Sequence, residues 1–180
     1  MSNLRLINET SISSSVETFD VTDVFSSDFD IYKITATNLS TTGTDYTTVN
    51  MQLINSAGNV ITAGTQYKYS ARVNLAWGAS GDNKSNALDF IYSAFSESTD
   101  QAPSVAGGTV WVFNPYSSSE YTQVLFQNSN SYGPNYYTSY FGGGWLVSNI
   151  SIKGFRAVVN NSGRPLASGT FRTYGLRVDK

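Results

Sequence analysis

The chain has 180 residues, enough for one full hydrophobic core. It contains no cysteine and no histidine, which excludes disulfides, thiol chemistry and thiolate zinc sites and removes the usual general base of hydrolases. Its 11 Lys+Arg against 13 Asp+Glu leave no basic face of the kind duplex binding requires, so no nucleic-acid partner is expected.

Charged residues make up only 13% of the chain and aromatics 14%, with 12 Tyr, 10 Phe and 15 Gly. Few Lys and Glu beside many Thr and Tyr favour strands and turns over helices. The opening "MSNLRLINETSISSS" has one Arg and no long apolar run. It matches neither a signal peptide nor a membrane span, and folding in a cytoplasm is expected. Residues 1–15 are expected as an N-terminal arm, and 16–180 as one β-sandwich domain.

From residue 16 onward, apolar residues recur at spacing two in short runs. "VETFDV" (16–21) is the first such run. "IYKITATN" (31–38) sets Tyr32, Ile34 and Ala36 against Lys33 and Thr35. "TVNMQLIN" (48–55) sets Val49, Met51 and Leu53 against Asn50 and Gln52, and with "NSAGNVI" it predicts a hairpin over 48–62. "YKYSARVNLAW" (67–77) alternates again. "ASGDNKSN" (79–86) is a loop by composition, "ALDFIYSAF" (87–95) a strand, and "SESTDQAPSVAGG" (96–108) a second loop. "TVWVF" (109–113) is a short strand stopped by Asn114-Pro115, and "WVFNPY" (111–116) as a whole reads as core plus turn. "YTQVLFQN" (121–128), "YYTSYF" (136–141) and "GFRAVVN" (154–160) follow, and "GTFRTYGLRVDK" closes the chain. About ten strands at this spacing predict an all-β antiparallel sandwich. At least three of Phe171, Tyr174, Leu176 and Val178 are expected to be buried in the closing strand.

Two clusters carry candidate chemistry. Asp20, Asp23, Asp28 and Asp30 in "FDVTDVFSSDFD" could supply oxygens to a hard cation, but they lack the EF-hand frame and read first as turn formers. No metal or other cofactor is therefore assigned. The stretch "SYGPNYYTSYFGGGW" holds Tyr132, Tyr136, Tyr137, Tyr140 and Trp145. These are the candidate residues for protein contact or for stacking on sugars, because Tyr among Ser, Gly and Asn is the vocabulary of contact loops. "GGG" (142–144) follows no strand–helix pattern and is not a phosphate loop. Scattered carboxylates such as Glu97 and Glu120 form no catalytic motif, and the chain is expected not to be an enzyme.

Taken in order, "LRLINETS", "VTDVFSSDFDIYKIT", "MQLINSAGNVI" before "YKYSA", "NPYSSSEYTQV", "GFRAVVNNSG" and "GTFRTYGLRV" resemble the small virion structural and tail-fibre-like proteins of tailed, marine cyanophage-type bacteriophages. The resemblance implies a jelly-roll-like sandwich incorporated in the particle, either as a head decoration protein or as a tail-fibre subunit for host attachment. It implies other virion proteins as partners, a homo-oligomer or symmetric array, and contact with a host surface glycan in the tail case. It brings no catalytic residues. A free carbohydrate-binding module, with Tyr136, Tyr140 and Trp145 as its platform, is the alternative.

Overall fold

The computed structural model describes residues 3–43, 47–98, 105–132, 136–160 and 163–177. Among them there is no helix and there are twelve strands. These are β1 (Leu4–Ile12), β2 (Thr18–Val21), β3 (Ile31–Thr41), β4 (Thr47–Asn55), β5 (Tyr67–Leu75) and β6 (Gly81–Leu88), followed by β7 (Ile91–Ser98), β8 (Val105–Phe113), β9 (Gln123–Tyr132), β10 (Tyr136–Leu146), β11 (Ile152–Val159) and β12 (Leu166–Leu176). They build two antiparallel sheets, packed together. The large sheet has the order β1-β12-β3-β8-β9-β10-β5-β6, and the small one β2-β11-β4-β7.

The order has a simple derivation. Without β5–β6 and β9–β10, the chain crosses from one sheet to the other at every step except β4 to β7, which pair within the small sheet, giving β1-β12-β3-β8 over β2-β11-β4-β7. Two such four-stranded sheets with this crossing pattern are a jelly roll. Each remaining pair is an added hairpin. β9 joins the sheet at β8, β10 follows β9, and β5 docks on β10 with β6 outside it. The large sheet is thus a jelly-roll half plus a four-stranded annex.

The core lies between the sheets. Tyr32, Ile34 and Ala36 of β3 point into it, as their alternation predicts. A set of rings occupies its centre: Phe95 and Phe171 meet edge to face with centroids 5.1 Å apart, and Phe155 lies 5.5 Å from Phe95. Such pairs add about 0.5–1.5 kcal/mol beyond their burial.

Several expectations change. Residues 79–86 are mostly strand, since Gly81–Leu88 forms β6. As an edge strand it borrows its pairing from β5 and leaves Asp82, Lys84 and Asn86 in solvent, so its composition stays loop-like. The 48–62 hairpin shrinks to a turn with Gly58 at φ 87° and a single bridge between Ile54 and Val60. Both ends of the 96–108 stretch are strand, and 99–104 lie outside the described residues. Within 1–15, Leu4–Ile12 runs as β1 along β12.

The closing strand lies between β1 and β3, yet of its three expected anchors among the described residues only Phe171 is buried. Tyr174 and Leu176 share a face as expected, but it is the outer one, where they are half-buried; Val178 lies outside the described residues. The inner positions are Thr173 and Gly175. A Cβ on Gly175 would stand 2.5 Å from the Phe29 ring, so the glycine admits a ring where a side chain was expected.

Candidate interaction face on the large sheet

The register fixes a continuous row across the outer face of the large sheet. It runs Leu6, Tyr174, Lys33, Trp111, then Leu125, Gly143, Ser70 and Lys84, one residue per strand from β1 to β6. The neighbouring row holds Leu176, Ile31, Phe113, Gln123, Trp145 and Lys68. Phe141 stands one row to the other side, between Gln127 and Arg72. Leu125 is 53% exposed, Phe141 52% and Trp145 42%. An apolar band therefore crosses a face that no other element among the described residues covers.

Lysines punctuate the band. The Lys33 ammonium lies 5.5 Å from the centre of the Trp111 ring, and that of Lys68 lies 6.0 Å from the centre of Trp145. Cations at that range are attracted to a ring face. The arginines of the same face are paired instead: Arg72 with Asp82 at 3.0 Å, and Arg172 with Glu9 at 2.6 Å.

At the annex the band dips into a cleft of about 900 Å³. Gly143 forms its floor, Trp145 and Leu125 its apolar walls, and Lys68, Ser70 and Lys84 its polar side. The three glycines of β10 explain the dip. Gly142 and Gly144 face inward, where Cβ atoms would meet Ala71 and Tyr69. Gly143 faces outward, beneath the Leu125 side chain, which a Cβ there would meet at 2.8 Å. "GGG" is thus mid-strand, and its role is close approach between side chains on both faces.

The expected contact residues do not assemble. Tyr137 and Trp145 both face outward, but eight residues of strand separate them by roughly 27 Å. Tyr136 is exposed at the strand's start, edge to face with Trp77 at 4.9 Å. Tyr140, expected on the surface, is instead buried in the core at 6% exposure, packed edge-on to Tyr92. Spacing-two parity places it with Thr138 and Leu146, opposite to Trp145. Tyr132 ends β9, and its side chain lies outside the described residues. The platform of Tyr136, Tyr140 and Trp145 is therefore not formed.

Trp111, Phe113 and Leu125 take the places those tyrosines were expected to fill. In "TVWVF", Val110 and Val112 are the buried positions, so "WVFNPY" is core on one face only. The row signal was present in the spacing, but both parities were apolar.

Two of the four aspartates of the acidic run, Asp20 and Asp23, pair with cations of the chain itself. Arg156 forks onto Asp20, with Nε donating at 2.6 Å and Nη2 at 2.8 Å, and this bond raises the guanidinium pKa above its ordinary value. Lys153 reaches Asp23 at 3.1 Å. Among the described residues no group of three or more carboxylates is placed to hold a metal ion.

Comparison of the chain with protein-family models, with curated proteins and with solved structures found no match in any of the three.

Proposed function

We propose that the protein is a non-enzymatic structural component of the surface of a tailed bacteriophage particle, acting through assembly contacts. The observation that supports this most is the uncovered apolar band on the outer face. From Leu6 to Trp145 the apolar residues span five inter-strand spacings of about 4.8 Å, roughly 24 Å across the sheet, and the rows give the band a height of roughly 20 Å. Exposed apolar patches of several hundred Å² are often contact sites, and about 500 Å² is a large share of the ~800 Å² per partner of a standard interface. The resemblance of the ordered segments supplies the virion setting. Jelly rolls serve in viral capsids and in lectins alike, so the fold suits the setting without choosing a task.

The test is on particles. Antibody against this chain, applied to purified phage and viewed by negative-stain microscopy, should decorate the head or the tail. Particles free of the polypeptide would overturn the proposal. Leu125→Asp with Phe141→Asp should leave the fold intact and abolish assembly.

A second reading, a carbohydrate-binding domain, is favoured by one feature: the cleft beside Trp145.

A further inference from the structure

We propose that the cleft over Gly143 binds an acidic saccharide, with a sugar ring against Trp145 and its carboxylate or sulfate held between Lys68 and Lys84. The inference rests on the carbohydrate-binding reading, names its ligand class and moves its site away from the tyrosines.

Three observations converge. The floor is a glycine on the outer face, with an exposed Trp on the same strand two residues on, so a flat ligand can lie low beside an aromatic wall. Pockets of this kind take their affinity from apolar contact and their specificity from a few placed polar groups. The second observation is charge. Lys84 is paired with Ser70, and Lys68 is two residues along β5 from Ser70. The two lysines are thus diagonal neighbours, about 7–8 Å apart at their backbones. Neither has an acidic partner among the described residues, unlike Arg72 and Arg172 on the same face. One anion between two ammonium groups forms charge-assisted hydrogen bonds, the strong kind. Lys68 is already beside the Trp145 ring, so charge and stacking surface are adjacent.

The third observation separates a saccharide from an acidic peptide. The cleft lies on the face of the sheet, over β9, β10 and β5, each paired on both sides, with the edge strand β6 at its rim. The free backbone row of β6 points outward in the plane of the sheet, away from the cleft, so adding a peptide strand there would not fill it. The polar rim includes Asn86 and Gln123 with Ser70, whose amides and hydroxyl suit a ligand rich in hydroxyl groups.

The experiment titrates the full chain with a panel of tetrasaccharides bearing galacturonate, sialate or sulfate, and follows tryptophan fluorescence and calorimetry. At least one should bind and perturb the emission. Methyl-esterified tetragalacturonate and hexaglutamate serve as comparisons. Trp145→Ala should abolish binding, and Lys68→Ala with Lys84→Ala should weaken it at least tenfold, with the circular dichroism of all variants unchanged. Trp145→Phe should retain part of the affinity, which keeps the test valid if the alanine variant misfolds. Equal binding of the methyl ester would overturn the acidic class and leave a carbohydrate site standing. Equal binding of hexaglutamate, or no binding across the panel, would overturn the proposal itself.

Discussion

The jelly-roll half of the large sheet and its annex are made of the same strands in register, yet they are stabilised differently. Under β12, β3 and β8 the interior is mainly phenylalanine and aliphatic, with Phe95, Phe155 and Phe171 fully buried beside Tyr32 and Thr173. Under β9, β10 and β5 it is richer in tyrosine and amide: Tyr67, Tyr69 and Tyr140 with Asn128, Asn130 and Thr138 join Val124, Phe126 and Leu146. The cause is the difference in sheet width. Four strands cannot cover eight, and the last strand of the small sheet, β7, packs on β8 and β9 and reaches only lightly to β10 and β5. Long side chains with polar tips close the gap. Tyr67 accepts the Leu53 N–H at 2.8 Å and donates to the Ile61 carbonyl at 3.1 Å, tying β5 to β4. Tyr69 donates to Asn83 at 2.7 Å. The Ser93 peptide is gripped from both sides: its N–H goes to Asn50 at 2.8 Å, and its carbonyl accepts Asn128 at 2.5 Å. A sheet can thus be widened beyond its cover when polar tips replace the missing strands.

The largest test attacks the jelly-roll half. Removing residues from Gly169 onward takes away most of β12, the common partner of β1 and β3. No cooperative unfolding transition should remain by calorimetry; a soluble, cooperatively melting product would mean the core does not depend on its middle strand. Next, Phe155→Ala should cost about 3–5 kcal/mol by urea titration, as large ring-to-alanine deletions do. A loss below 1 kcal/mol would place the weight of the fold outside the phenylalanine cluster.

In the annex the effects should be smaller and polar in origin. Asn128→Ala strips the Ser93 carbonyl of its donor and should cost about 1–3 kcal/mol. Hydrogen exchange should speed up in β7 and β9 and stay slow in β3. Equal acceleration in both would erase the distinction between the halves.

Tyr67 gives a pH test. Burial raises its phenol pKa above the ordinary value of 10.0, with the Leu53 hydrogen bond opposing and Asp89 adding to the rise. The unfolded chain therefore loses this proton before the folded one does. The contribution is complete below about pH 10 and declines as pH rises through the folded value. Tyr69, also raised by burial, acts in the same direction. Melting temperature should fall above pH 10, and more gently in Tyr67→Phe. Identical alkaline slopes would show that Tyr67 is not held protonated by the fold. Smallest of all, Asp82→Asn breaks an exposed ion pair with Arg72 at the annex edge and should change stability by about 0.5 kcal/mol or less.

Much of the jelly-roll half was legible from the chain. Where a strand has one apolar and one polar parity, as in β3 with Tyr32, Ile34 and Ala36 against Lys33 and Thr35, both existence and facing follow from spacing. The annex was harder for two physical reasons. β6 is an edge strand with little to bury, so "GDNKSN" carried the composition of a loop. In β8 and β10 both parities are apolar, and spacing alone cannot say whether Trp111 or Val112, Tyr140 or Phe141, faces inward. That ambiguity sent Tyr140 to the surface and hid Trp111 and Phe113 in the core. The outward residues are the candidate site, so the signal that locates function is the one two-sided hydrophobicity obscures. The polar fork of Asp20 on Arg156 was equally hidden, since 136 residues separate the pair.

The position of β12 also has a consequence in time. β1 pairs with β12 alone, and β12 separates β1 from β3. During synthesis the first strand must therefore wait for residues 166–176 before any ladder can receive it. At about 5–20 residues per second that wait lasts on the order of ten seconds or more. Through that interval "LRLINETSI" and β3 present unpaired backbone to whatever else is nearby. The nascent chain is most open to mispairing or chaperone capture then, and the seam closes only once its middle strand has been made.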